Sequence, residues 1–338
     1  MAKLRMRQAI VAALADEMER DGSVIVFGED VAAAGGPFKT SEGLLERFGR
    51  ARVRDTPISE TGFLGAGLGA AVTGLRPVVE IMFIEFLGVA LDMLSTEAAK
   101  FRYLSGGKLS VPLVVRASAG SGLGFGAQHS QTLETWLYAT PGLKLAVASG
   151  PRTAYGLLRA AVQDDNPVVV LEPRPLYGER EEVETGDAAV IPLGQANLCA
   201  TGDDVTIVGL GQTVGTALRA AESAGWTADV IDLQTLLPWD RDTVFASVAR
   251  TGRLVVVEES PRTGGWGTEI AAAVAGECFG DLTAPVTRIT APDVPVPFPP
   301  ELEARYLPGP DYVRAQIDTL LDSGRLPVPW WETEGLGA

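Results

Sequence analysis

The chain has 338 residues, of which 46% are hydrophobic and 21% charged, and its formal net charge at pH 7 is −15. This composition is typical of a globular protein with about two domains, and not of a disordered or fibrous chain. The acidic balance argues against nucleic-acid binding, because phosphate backbones are held mainly by Lys and Arg. Cys199 and Cys278 are the only cysteines, so we expect a cytoplasmic protein with neither a disulfide scaffold nor a zinc site.

The amino-terminal segment has an amphipathic pattern. Leu4, Ile10, Leu14 and Met18 recur at roughly helical spacing between charged ends, which predicts a helix rather than a signal sequence. The longest apolar stretch, residues 61–95, is interrupted by charged side chains, so we expect no membrane span.

Short β-branched runs alternate with helical patterns along the first half of the chain. The strands are predicted at residues 24–30, 76–83, 111–116, 143–149 and 167–173, and the helices at 60–75, 88–103, 130–138 and 152–164. Nearly continuous apolar strands between helices are typical of a parallel sheet that is covered on both faces. The first half is therefore predicted to be α/β.

A charged segment with Pro and Gly separates a second α/β pattern from the first. Its strands are predicted at residues 204–211, 228–233, 253–259 and 286–290, and its helices at 212–225, 240–250, 266–279 and 311–322. We expect a first domain over residues 1–185, a linker over 186–200 and a second domain over 201–325. The tail, 326–338, has no periodicity and is expected to be loosely held. The predicted fold class is α/β, with two domains that each contain a mainly parallel sheet flanked by helices.

Three glycines in the second half are arranged as in a dinucleotide-binding turn. Gly209, Gly211 and Gly215 lie between a predicted strand and a predicted helix, and Asp232 ends the next strand. The third glycine comes one residue too late for the fingerprint, however, and a tight structural turn also requires glycine. A structural turn is favoured, and a dinucleotide-dependent dehydrogenase remains an alternative.

Three segments of the first half carry more specific motifs: "DTPISETGFLGAGLGAAVTGLRPVVEIMFIEF", "AAKFRYLSGG" and "GAQHSQTLETWLYATPGLKLAVAS". They resemble the β subunit of the thiamine-diphosphate-dependent decarboxylating component of 2-oxoacid dehydrogenase complexes, a family that includes the pyruvate, branched-chain and acetoin enzymes and is related to transketolase. The resemblance extends over residues 4–322. It implies a pyrimidine-binding domain followed by a transketolase C-terminal-like domain.

Glu60 lies in "TPISETG", at a predicted strand-to-helix turn where a carboxylate can point toward a ligand above the sheet edge. The resemblance implies that Glu60 bonds the N1′ atom of the aminopyrimidine of thiamine diphosphate, that Phe86 stacks on this ring and that Ile58 contacts it. A carboxyl group suits this role because it can hold and release a proton at N1′. A carboxylate that only stabilises a helix N-terminus is the alternative reading of Glu60.

His129 is the only histidine of the chain and follows the glycine-rich "SGLGFG". The resemblance implies that His129 faces the thiazolium side of the active site, stabilises or protonates intermediates and helps to pass the two-carbon unit to an acceptor. Histidine suits this role because it changes protonation near neutral pH. Gln128 is expected to contact the cofactor and to position His129.

Two further features depend on the resemblance. The glycines at 62, 65, 67, 69 and 74 are costly in a helix, and the family places this helix in a subunit interface, where a second helix approaches closely. Some relatives bind potassium through main-chain oxygens at the turn that "AAVQDDNPVVV" matches. The equivalent residues here are Leu113, Ala161, Asp164 and Asn166. An Asn-Pro stop signal after a helix is the alternative.

The family binds the magnesium and pyrophosphate of the cofactor through a GDG…N segment, and no GDG occurs in this chain. The resemblance therefore implies an α subunit that holds magnesium, an α2β2 heterotetramer, and a lipoyl-bearing acyltransferase or carrier protein as acceptor. The expected activity is that of a 2-oxoacid (pyruvate-type) or acetoin dehydrogenase. The alternatives are a biosynthetic subunit that moves a two-carbon unit to a carrier protein and a non-catalytic scaffold subunit.

Overall fold

The computed structural model describes residues 1–334, which form two compact units. The first unit consists of residues 1–119, 136–194 and 235–238, and the second of residues 120–135, 195–234 and 239–334. Each unit is built around its own sheet. Residues 335–338 of the predicted tail lie outside the described residues.

The strands of the described chain are short and mostly buried. They are β1 (Ala2–Arg5), β2 (Val24–Gly28), β3 (Val53–Asp55), β4 (Arg76–Ile81), β5 (Val114–Ala119), β6 (Lys144–Val147), β7 (Val168–Pro173), β8 (Arg180–Val183), β9 (Asn197–Ala200), β10 (Val205–Gly209), β11 (Ala228–Asp232), β12 (Thr235–Leu237), β13 (Leu254–Pro261) and β14 (Thr287–Ala291).

The helices alternate with these strands. They are α1 (Met6–Arg20), α2 (Leu44–Phe48), α3 (Glu60–Val72), α4 (Ile84–Leu91), α5 (Ala99–Leu104), α6 (Glu134–Tyr138), α7 (Pro151–Gln163), α8 (Gln212–Glu222), α9 (Arg241–Thr251), α10 (Gly267–Glu277), α11 (Pro300–Tyr306), α12 (Pro310–Ser323) and α13 (Trp330–Thr333). A π-helical stretch, Asp92–Ala98, joins α4 to α5, and Arg174–Gly178 and Asp187–Ala189 are 3₁₀ helices. Among residues 1–334, no helix is both long enough and apolar enough to cross a bilayer.

The sheet of the first unit has seven strands in the order β12-β6-β7-β5-β4-β2-β3, and all pairs are parallel except β12 with β6. Its central strands are buried on both faces, which explains their continuous valine-rich sequences. Gly28 at the end of β2 pairs with both Asp55 and Glu80, so the carboxyl ends of β2, β3 and β4 meet at one edge. A separate antiparallel pair is formed by β1 and β8.

The sheet of the second unit has five strands in the order β14-β13-β10-β11-β9, and only the edge strand β9 is antiparallel. Its core joins strand residues such as Ile207 and Val255 to helix residues such as Ala217 of α8 and Ile317 of α12. Burial of these aliphatic side chains supplies most of the stabilisation of such a layer, at about 25 cal/mol per Å² of apolar surface. The two sheets and their helices confirm the predicted α/β class.

Three sequence-based expectations are wrong in detail. The helix predicted over 130–138 begins only at Glu134, because the preceding residues belong to an irregular loop. The helix predicted over 88–103 contains the π-helical stretch. The tail is not loosely held over its described part: Trp331 is only 7% exposed and the guanidinium of Arg305 lies 4.1 Å from the Trp330 ring centroid. Arg262 also pairs with Glu332, so aromatic burial and ion pairs fix a segment without periodicity.

Candidate functional site

The segment that carries Ile58 and Glu60 is fixed at the carboxyl end of β2. The Thr56 N–H donates to the carbonyl oxygen of Gly28 at 3.0 Å, and Glu60 is the first residue of α3. A carboxylate in the first turn of a helix is stabilised by the exposed N–H groups. Thr61 ties this turn to α4, because its hydroxyl donates to the carbonyl oxygen of Val89 at 2.7 Å. Glu60 is half-buried and Ile58 is 84% exposed.

Glu29, which the sequence reasoning missed, is the partner of Glu60. It directly follows β2 and is 8% exposed, and its carboxyl group lies close to that of Glu60. Burial raises the pKa of Glu29, and the negative charge of Glu60 raises it further. Both effects favour the protonated form of Glu29. The only sequence signal for Glu29 is its position directly after an apolar strand.

The Glu29 side chain also has an unused acceptor. Its Oε1 atom is buried without a hydrogen-bond partner among residues 1–334. A buried polar atom without a partner is costly, so its presence indicates that a ligand, a water molecule or another chain completes the pair. The two carboxyl groups therefore form an incomplete acid–base site at the edge of the first sheet.

Phe86 belongs to a row of aromatic rings behind this edge. Its ring meets that of Phe83 edge to face, with 5.4 Å between the centroids, and Phe83 meets Phe38 in the same way at 5.7 Å. The guanidinium of Arg174 lies 4.9 Å from the Phe83 ring centroid. Phe86 is half-buried, so these contacts fix its orientation while part of its surface stays accessible.

A buried ionic network joins the central strands β4, β5 and β7 of the first sheet. Arg116 on β5 bonds Glu80 on β4 at 2.8 Å and Glu172 on β7 at 2.7 Å, and the Tyr177 hydroxyl donates to Glu172 at 2.8 Å. Burial raises the pKa of Glu80, and the Arg116 charge opposes this rise. A buried trio of this kind holds neighbouring strands in register, because each member would be costly without the others.

Gln128 and His129 lie in the second unit, on a loop that closes on itself. The Gly120 N–H donates to the carbonyl oxygen of Gln131 at 3.1 Å, and the His129 N–H donates to that of Gly126 at 3.2 Å. Gln128 is exposed and His129 is half-buried. The imidazole is therefore presented by a defined turn and retains access to its surroundings.

The predicted potassium residues come together around the turn between α7 and β7. The Leu113 carbonyl accepts from the Val168 N–H at 2.9 Å, and the Ala161 carbonyl accepts from the Asp164 N–H at 3.3 Å. Asn166 donates to the Asp164 carboxylate through its N–H and its Nδ2, each at 2.9 Å.

Two cationic side chains already lie at this turn. The carbonyl of Asp164 accepts from Arg76 at 3.1 Å, and its carboxylate is paired with Lys144. Each carbonyl oxygen keeps a second lone pair, but the two cations repel another cation.

The turn at Gly209 is explained by packing. A Cβ at Gly209 would lie 3.1 Å from the backbone of Val214, so the strand-to-helix turn requires glycine. The Asp232 carboxylate is buried. It accepts a hydrogen bond at 3.1 Å from the N–H of Gln234, two residues after the end of β11. The glycine pattern therefore does not indicate a dinucleotide.

Comparison with known proteins assigns both units. Residues 2–180 match the family described as transketolase, pyrimidine binding domain, and residues 194–313 match transketolase, C-terminal domain. Over 325 residues the chain is 44% identical to the acetoin:2,6-dichlorophenolindophenol oxidoreductase subunit beta of Bacillus subtilis. This alignment covers 92% of this chain and 95% of that protein. It is also 44% identical over 311 residues to the pyruvate dehydrogenase E1 component subunit beta of Rhizobium meliloti, covering 91% of this chain and 68% of that protein.

The chain belongs to the E1 β-subunit family of thiamine-diphosphate-dependent dehydrogenases. A solved structure described as a split-gene transketolase in an inactive β4 tetramer has the same fold, with a TM-score of 0.76 and 24% identity over 95% of this chain and 100% of that one. The predicted resemblance is confirmed.

The E1 β-subunit family uses thiamine diphosphate, and the carboxyl pair of this chain fits that cofactor. The aminopyrimidine ring needs an acid near N1′, and Glu60 with its neighbour Glu29 would be such an acid. The unused Oε1 of Glu29 shows that the pair is incomplete by itself. Among residues 1–334, no group of three or more His, Cys, Asp or Glu side chains is arranged to hold a metal ion.

Proposed function

We propose that this chain is the β subunit of a heteromeric dehydrogenase that acts on pyruvate or acetoin and transfers the acyl unit to a lipoyl group of an acyltransferase. The observation that carries the proposal is the placement of Glu29 beside Glu60 at the sheet edge, with the buried Oε1 of Glu29 left for another partner. The two relatives described above are named for these two substrates and are equally identical to the chain, which supports the pair of substrates without separating them.

Thiamine diphosphate supplies an electron sink for cleavage of a carbon–carbon bond next to a carbonyl group. In the proposed site, Glu60 would hold and move a proton at N1′ of the aminopyrimidine, with Glu29 beside it. Ile58 and Phe86 would contact the ring. His129 holds and moves a proton near the reacting carbons, and Gln128 binds the cofactor and orients His129.

We also propose an α subunit as partner, which holds magnesium and completes an α2β2 heterotetramer. The first unit exposes large apolar side chains around α3, α4 and α5: Ile58, Val89, Tyr103 and Leu104 are 84%, 66%, 86% and 72% exposed. Large apolar side chains exposed on neighbouring elements are typical of a partner interface. The exposure of Ile58, two residues before Glu60, and of Val89, whose carbonyl accepts from Thr61, supports a site that another chain completes.

The glycines of α3 divide between two purposes. A Cβ at Gly67 would lie 2.8 Å from Val79, so this glycine lets α3 pack on β4 within the unit and needs no second helix. A Cβ at Gly69 would meet nothing, and Gly69 is exposed. Gly62, Ala66 and Gly69 are the exposed small residues of α3. We propose that they allow a helix of a partner subunit to approach α3 closely.

Three remaining expectations also stand as proposals. Leu113, Ala161, Asp164 and Asn166 offer oxygens to a potassium ion, against the repulsion of Arg76 and Lys144. The domains extend over residues 1–185 and 201–325, with a linker at 186–200 and a tail at 326–338. The protein acts in the cytoplasm.

The site is tested by Glu60→Gln and Glu29→Gln in the chain co-expressed with its α subunit. We expect Glu60→Gln to lower kcat by about 10² to 10⁴-fold, the usual contribution of an acid–base group. Glu29→Gln should have a smaller effect on kcat and shift the acid limb of the pH profile. The matched control is Glu46→Gln, since Glu46 is an exposed glutamate of the same unit. Unchanged activity of Glu60→Gln would favour a scaffold subunit.

A further inference from the structure

The loop that carries His129 has an unusual backbone. We call residues 120–131 the glycine loop. Gly120, Gly122, Gly124 and Gly126 all have positive φ values, of 90°, 106°, 71° and 72°. Residues other than glycine rarely adopt these φ angles, so the glycines determine the path of the backbone through the loop. In such a backbone, neighbouring N–H groups point toward the inside of the loop, where each needs a hydrogen-bond acceptor.

Two buried carboxylates of the second unit accept these N–H groups. Glu303, on α11, accepts from Gly122 and Gly124, each at 2.8 Å, with one oxygen for each donor. Glu259, on β13, accepts from the N–H of Ser121 and, at 2.6 Å, from its hydroxyl. Glu303 is only 4% exposed. Hydrogen bonds to a carboxylate are roughly twice as strong as those between neutral groups. These bonds therefore tie residues 121–124 firmly to β13 and α11.

Further hydrogen bonds and packing contacts fix other parts of the glycine loop. Gln212, at the start of α8, donates to the second carboxylate oxygen of Glu259 and, at 3.3 Å, to the Ser121 carbonyl. A Cβ on Gly126 would lie 3.2 Å from the Phe298 ring, so the loop is packed closely on this side. The turn that presents His129 starts at Gly126, because the His129 N–H bonds the Gly126 carbonyl. A shift at residues 122–124 therefore moves the imidazole.

We propose that Glu303 and Glu259 are positioning residues for His129, and that their carboxylates hold the glycine loop in the conformation in which the imidazole works. The inference rests on the proposed role of His129 in the reaction. Two N–H groups converge on two oxygens of Glu303, so the site is specific for a carboxylate. A glutamine would offer one oxygen and turn an amide donor toward the other N–H.

The test uses four variants of the chain in its complex with the α subunit. They are Glu303→Gln, His129→Ala, the double variant, and the control Glu301→Gln, an exposed glutamate on the same helix. We expect Glu303→Gln to lower kcat by up to about 100-fold, as a displacement of about 1 Å does, with KM within a factor of two. The control should keep full activity. The double variant should be no slower than His129→Ala, because both changes remove the same function.

A second readout follows the loop directly. Chymotrypsin cleaves after large apolar residues, and Leu123 and Phe125 of the loop are exposed. Cleavage after Phe125 should be faster in Glu303→Gln than in the control, with an unchanged melting temperature of the complex. Glu303→Asp provides a milder variant that keeps the charge if Glu303→Gln does not fold.

The outcomes separate the inference from the proposed function. If His129→Ala is slow and the effects of the two changes multiply in the double variant, Glu303 does not act through His129 and the inference alone is overturned. The same conclusion follows if Glu303→Gln is as active as Glu301→Gln. If His129→Ala keeps full activity, the proposed role of His129 and this inference both fail.

Discussion

Glu134, at the start of α6, should make the stability of the second unit depend on pH. Burial, together with the negative charges of Glu259 and Glu258, raises the pKa of Glu134 from 4.5 to about 8. Its side chain is 6% exposed, and its Oε2 atom has no hydrogen-bond partner among the described residues. Arg288 pairs with Glu258 in this cluster, and Tyr306 is a further titratable neighbour of Glu134.

The sign follows from proton linkage. The folded chain holds the Glu134 proton more tightly than the unfolded chain, so the stabilisation is complete below the unfolded pKa of 4.5 and is lost as the pH rises toward 8. With these two values, the free energy of unfolding should fall by about 3 kcal/mol between pH 5 and pH 8 through this group alone. Glu134→Gln removes the titration and keeps the shape of the side chain.

We therefore expect Glu134→Gln to be close to the parent chain in stability at pH 5 and more stable by about 3 kcal/mol at pH 8. The assay is urea unfolding followed by tryptophan fluorescence at pH 5, 6, 7 and 8, with Glu301→Gln as the exposed control. A stability difference that stays constant over this pH range would refute the reasoning, because it would show that Glu134 is ionised in the folded chain at pH 5.

Three further predictions concern the sheet, the tail and potassium. Arg116→Met should destabilise the first unit by about 3 to 5 kcal/mol, since it leaves Glu80 and Glu172 buried without their cation, whereas the exposed Arg54→Met should change urea unfolding little. Trp331→Ala should lower stability by about 3 to 5 kcal/mol in the same assay, and an unchanged midpoint would mean that the tail is not docked. Potassium chloride should raise the melting temperature more than equal sodium chloride if the turn at Asp164 binds potassium; equal effects of the two salts would contradict the site.

Local patterns account for what the sequence could predict of the fold. Continuous apolar strands such as β2, β4 and β7 are buried on both faces, and their composition is sufficient to identify them. The edge strands β9 and β12 are short and partly polar, so no periodicity marks them. The assignment of residues 120–135 to the second unit depends on contacts with β13 and α11, which are distant in sequence.

The same distinction applies to the candidate site. Glu60 and His129 lie in motifs that a sequence can carry, and the glycines before His129 have backbone angles that explain their presence. Glu29 and Glu303 lie close to residues that are distant in sequence, and acidic side chains are common enough that neither stands out in the sequence. Such contacts are found from geometry rather than from pattern.

The central claim is that this chain supplies the aminopyrimidine half of a thiamine diphosphate site and that an α subunit supplies the rest. The direct measurement is calorimetric titration of thiamine diphosphate with magnesium into three samples: the chain alone, the complex with the α subunit, and the complex that carries Glu60→Gln. We predict tight binding only to the complex and weaker binding to the variant complex. Equally tight binding to the chain alone would contradict the claim.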